Sequence, residues 1–189
     1  MALESLQELY VEQLYDLYSA ESQILDALPE MIEAAKHQEL RNGFQLHLHQ
    51  TEQHVERLER IFDDLGEDPE EEECKAMAGI LEEGKDMLKE KADSDVLDAA
   101  LIAAAQRVEH YEMAGYGCAR TYAAMLGHTE HAELLQQTLD EEGETDKKLT
   151  ALAERVINID AAIGGESRPR SNKAIGYSRE TDGPTEARQ

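Results

Sequence analysis

Apolar residues recur every three or four positions over four long stretches of this chain, the spacing of helices that each bury one face. The first stretch runs from about Leu3 to Ala35. Its stripe of Leu6, Tyr10, Leu14, Leu17, Ile24, Leu28 and Met31 is broken by one gap of seven, and the residue in phase with that gap is Glu21. Pro29 predicts a kink or a near end. Asn42–Gly43 reads as a turn ahead of a second helix from about Gly43 to Leu65, with Phe44, Leu48, Thr51, Val55, Leu58, Phe62 and Leu65 on one face. Gly66 supplies a C-cap and Pro69 forbids continuation.

A short helix from about Cys74 to Lys89 lies inside the long connection that follows. The third long helix spans about Asp95 to Leu126, with Ser94 as candidate N-cap and an alanine-rich first half suited to close approach. The fourth runs from about Thr129 to Ile159, with Leu135, Leu139, Leu149, Leu152 and Val156 inward. Gly143 within it costs about 1 kcal/mol against Ala, which points to close packing or a ligand there. Short loops suffice for an up-down-up-down bundle, whereas one long crossover between the second and third helices marks the ferritin-like arrangement. The expected fold is all-α: a ferritin-like four-helix bundle over residues 1–163 with a short extra helix in the crossover. Residues 164–189, poor in apolar residues and rich in Gly, Pro and charge, read as a disordered tail.

Composition agrees with helices: runs of Val, Ile and Thr that would mark strands are absent, and there is no Trp among 189 residues. The charge is lopsided, with 42 acidic against 18 basic residues and a formal net charge of −24. Such a surface repels nucleic acid and anionic lipid, and it suits a salt-rich cytoplasm. Residues 70–73 and the pair Glu82–Glu83 read as solvated surface. Cys74 and Cys118 fit neither a disulfide framework nor a zinc spacing and read as reduced thiols. No signal peptide or membrane span is read in the sequence, so a cytoplasmic location is expected.

Acids occupy the inner faces of three helices. Glu21 replaces a core residue in the first, Glu109 and Glu112 fall on the inner face of the third, and Glu142 lies at the centre of the fourth stripe with Asp146 one turn on. Burying such charges is costly unless they are protonated, paired or neutralised by a cation. Arg107, Arg120 and Lys147 fall on flanks or outer faces, and a divalent pair solves the problem: hard oxygen donors suit iron and manganese, and imidazole suits iron. On the second helix His47, Thr51 and His54 point inward, Glu52 lies at the margin and His49 points away, leaving His47 and His54 as near-equal candidates with Glu52 behind them. Tyr10, Tyr18, Tyr111 and Tyr116 read as core or interface aromatics.

The segments LYSAESQIL from Leu17, ECKAMAGILEE from Glu73, DAALIAAAQRVEHYEMAGYG from Asp98 and TLDEEGETDKKL from Thr138 resemble the YciE/YciF stress-protein family of the ferritin-like superfamily, over about Leu6 to Val156. The resemblance implies a rubrerythrin-like bundle, often a homodimer, associated with stress responses. By analogy with rubrerythrin-type di-iron sites, the first helix gives one Glu, the third Glu-x-x-Glu, and the second and fourth each Glu-x-x-His. Glu21 and Glu109-x-x-Glu112 match. The second helix has Thr51-x-x-His54 and lacks the Glu. The fourth has Glu142-x-x-Thr145 and lacks the His, with Asp146 as possible substitute.

The functional expectation is a di-metal carboxylate protein, iron or manganese, with ferroxidase-, peroxidase- or catalase-like activity. Its ligands would come from Glu21, His47, His54, Glu109, Glu112, Glu142 and Asp146. With no rubredoxin-type four-cysteine module, an electron donor would be a separate protein. The competing expectation is a non-catalytic stress or structural helical dimer without functional metal. An iron-storing cage is disfavoured by the lack of a clear fifth C-terminal helix.

Overall fold

The computed structural model describes residues 4–69 and 73–163. The expected tail and most of the acidic run at 70–73 lie outside the described residues. Helix α1 covers Leu6–Ala34, α2 Gln38–Leu65, α3 Lys75–Lys89, α4 Ser94–Leu126 and α5 Thr129–Leu152. One wider π turn at Ala153–Ile157 leads into α6, Asn158–Ile163. The described residues contain no strand. The order and the helix in the crossover are those expected of a ferritin-like bundle.

The ends follow local chemistry, with two corrections. Ser5 caps α1, its Oγ accepting from the Glu8 N–H at 3.1 Å. Gly66 and Gly127 end α2 and α4 in the left-handed region, at φ 71° and 86°. The cap of α4 is Asp93, not Ser94: its carboxylate accepts from the Asp95 N–H at 2.9 Å. The second helix starts at Gln38, so Asn42–Gly43 lies within it and makes no turn. The chain instead reverses over residues 35–37, where Asp98 of α4 accepts from the Lys36 and His37 N–H groups, each at 2.8 Å. A carboxylate from across the bundle satisfies those donors and overrides the local turn signal. Pro29 lies inside α1, which ends five residues later.

Helix α1 packs on α2, α2 on α5, α5 on α4 and α4 on α1, closing a four-helix ring, and α3 lies against α1 and α4. Gly115 permits the close α1–α4 approach, since a Cβ there would stand 2.8 Å from Leu17 Cδ2. Gly143 has only an ordinary contact with Met113, so close packing does not account for it.

The core divides into two apolar layers. One holds Ile24 and Leu28 of α1, Leu40 and Phe44 of α2, Leu101, Ile102, Ala105 and Val108 of α4, and Leu149 and Leu152 of α5. The other holds Tyr10, Leu14 and Leu17, then Leu58, Ile61 and Phe62, then Tyr116, Ala119 and Ala123, and Leu135. Between them every helix switches to buried polar residues: Glu21; His47, Thr51 and His54; Glu109 and Glu112; Thr138 and Glu142. Four interruptions in four stripes thus meet at one level of the bundle.

Candidate metal centre

The residues of this middle layer are sealed from solvent: Glu21, His54, Glu112 and Glu142 are each 0% exposed. Two groups of potential donors converge. His47, Glu109, Glu112 and Glu142 can each place one ligand atom within 4.8 Å of the others, and so can Glu21, His54 and Glu142. Glu142 belongs to both groups.

Contacts within the layer are asymmetric. His54 Nδ1 lies 2.9 Å from Glu142 Oε1 and 3.2 Å from Glu21 Oε1. Its other nitrogen, Nε2, is 3.0 Å from Glu141 Oε2. Glu141 is in turn clamped by Arg57, whose Nη1 and Nη2 donate to its two oxygens at 2.7 and 3.0 Å. Arg57 Nη1 also donates to Thr138 Oγ1 at 3.0 Å. A carboxylate behind an imidazole fixes its orientation and raises its basicity, here directing Nδ1 inward. Tyr116 donates its phenol proton to Glu21 Oε1 at 2.5 Å. His47 Nε2 stands 3.5 Å from Glu109 Oε1.

Burial and crowding set the protonation states. Burial, and then the charges of Glu21, Glu142 and Glu109, push the Glu112 carboxyl well above the usual carboxylate range. Burial and the charge of Glu142 do the same to Glu109. Burial disfavours a charged His54, but its contacts with Glu141, Glu142 and Glu21 outweigh that and raise its pKa to about 11. His47 is pushed down, chiefly by burial. For Glu142 burial is outweighed by His54 and His47, leaving its pKa lowered. Without a cation the layer therefore balances charge with protons. Six carboxylate oxygens among the described residues, on Glu21, Glu109, Glu112 and Glu142, are buried without a hydrogen-bond partner. Orphaned acceptors of this kind fit hard metal ions, and the oxygen-rich donor set with two imidazoles fits iron or manganese.

Of the residues singled out in the sequence, Glu21, His47, His54, Glu109, Glu112 and Glu142 come together here. The choice between His47 and His54 dissolves, because each serves a different group. Asp146 stands outside both: it accepts from Gln106 at 2.9 Å and lies 3.3 Å from His110. Glu52 is exposed, beside His49. Glu141 and Arg57 are not singled out by the sequence, and Tyr116 is read there only as a core or interface aromatic. Glu141 and Arg57 sit on helix flanks, where phase reads them as outer residues, and Tyr116 is in phase with the apolar stripe. Only their partners across the bundle reveal the roles.

Residues 5–162 match the family described as DUF892, a domain of unknown function. This chain belongs to that family. Protein YciF of Escherichia coli K12 is 38% identical over 159 residues, 84% of this chain and 96% of that protein. The crystal structure of the E. coli stress protein YciF superimposes with a TM-score of 0.79, at 38% identity, covering 82% of this chain and 98% of that one. YcfI from Rhodopseudomonas palustris, provisionally described as a structural protein, gives a TM-score of 0.76 at 40% identity, over 78% of this chain and 94% of its own. A Xanthomonas campestris protein, 19% identical, shares the fold with a TM-score of 0.65. The DUF892 match agrees with the resemblance carried by the EHYE segment. Among the described residues no helix is long and apolar enough to cross a membrane.

Proposed function

We propose that this chain holds a pair of iron or manganese ions in its middle layer and acts on dioxygen or peroxide. The observation that supports the reading is Glu142, the one residue common to two donor groups that otherwise use different side chains. His47, Glu109 and Glu112 would serve one ion, Glu21 and His54 the other. When bound, such a pair supplies paired one-electron redox chemistry.

The chain's own part is to arrange and shelter. Arg57 holds Glu141, Glu141 holds His54, and Tyr116 holds Glu21. The apolar layers on either side exclude bulk water, which strengthens the attraction between these carboxylates and any cation held among them. The reading also takes the chain to work as a homodimer supplied with electrons by a separate protein.

Protein reconstituted anaerobically with Fe(II) or Mn(II), then exposed to dioxygen or hydrogen peroxide, is expected to consume the oxidant in proportion to bound metal. Glu112→Ala should abolish that consumption. Fully loaded protein that leaves both oxidants untouched would overturn the redox reading.

A non-catalytic reading has one observation in its favour. Protons can balance the layer without metal, with His54 charged between Glu21, Glu142 and Glu141. A structural or stress-protective bundle of that kind is consistent with the descriptions of the two relatives. Metal content separates the two readings.

A further inference from the structure

Thr51 is fully buried in the middle layer, four residues after His47 and three before His54 on the same face of α2. Its hydroxyl has no hydrogen-bond partner among the described residues. A hydroxyl in a helix has an easy local solution, the carbonyl one turn back. Ser22 takes it at 2.8 Å, Thr121 at 2.8 Å and Thr145 at 3.1 Å. Thr51 forgoes that bond although its burial makes an unmet hydroxyl expensive. Thr138, the other buried threonine of the layer, is satisfied by Arg57.

The two donor groups are also unequal. One offers four side chains and the other, on Glu21, His54 and Glu142, offers three. An ion held by those three side chains would have room for a ligand that the chain does not supply. Thr51 is one turn from His47 of the larger group and one turn from His54 of the smaller, and only the smaller leaves such room.

Resting on the di-metal reading, we infer that Thr51 is a positioning residue for a small external ligand of that ion, its hydroxyl donating a hydrogen bond to an oxygen- or nitrogen-based anion. Hydroxide and peroxide are ligands of this class, and azide is a probe for it. A threonine kept only to fill space would make the same van der Waals contacts but would not affect how such an anion binds.

The test uses the full chain loaded with iron and oxidised to Fe(III), titrated with azide and followed by its charge-transfer absorption. Metal content is measured first. Thr51→Val keeps the shape and removes the hydroxyl, Thr51→Ser keeps the hydroxyl, and Thr51→Ala removes it without adding a methyl group. All are expected to carry the wild-type amount of metal. Azide should bind about tenfold or more weakly to the Val and Ala variants and near wild type to Ser. Equal azide affinity in wild type and Thr51→Ala overturns the inference, as does loss of metal from both Val and Ala variants, which would make Thr51 part of the metal's own support. Wild-type protein without metal would defeat the di-metal reading itself, before any azide is added.

Discussion

His54 is gripped from both sides, by Glu141 on Nε2 and by Glu21 and Glu142 on Nδ1. An amide in place of the outer carboxylate can keep a contact to Nε2 but removes the charge that raises the ring's basicity. Glu141→Gln is therefore expected to weaken metal binding at least about tenfold without unfolding the bundle, which competition with a chelator would measure. The same layer predicts a pH dependence. Glu109 and Glu112 titrate above their ordinary value of 4.5, and His54 is raised from 6.5 to about 11. Groups with raised folded-state pKa stabilise the metal-free protein fully below their ordinary values and lose that contribution as pH rises through the raised ones. Metal must displace those protons, so binding strengthens with pH. Thermal unfolding from about pH 6 to about pH 8 should show a gap between loaded and metal-free Tm that widens with pH; a constant gap would contradict the assignment.

Each long helix is an apolar stripe with a polar interruption, and the interruptions lie at one level because the helices pack side by side in a ring. Phase along the helix was enough to find Glu21, Glu109, Glu112 and Glu142, since each replaces a residue that an ordinary core would make apolar. Phase could not rank His47 against His54, because only the positions of α4 and α5 show that one meets Glu109 and the other Glu142. Nor could it find the start of α2, which depends on a residue 61 and 62 positions away. Asp98→Ala should remove the acceptor for both N–H groups of that turn and destabilise the protein by about 2 kcal/mol in denaturant unfolding, with metal content unchanged. An unchanged stability would mean that water replaces the carboxylate at no cost.

Much of the formal charge of −24 lies on solvated helix faces, but the four central glutamates are buried where water cannot help them. The family, the all-α class and the crossover helix were legible because they follow from segment spacing and a specific stretch of α4. The support behind His54 was not, since Glu141 and Arg57 are ordinary flank residues until α2 and α5 are set side by side. In the proposed di-metal centre Glu142 would serve two ions at once. Native mass spectrometry of protein reconstituted with Fe(II) or Mn(II), wild type against Glu142→Gln, counts them directly. About two ions per wild-type chain and no retained pair in the variant is the result expected. A wild-type chain that takes up no metal, or a variant that keeps the full complement, would contradict it.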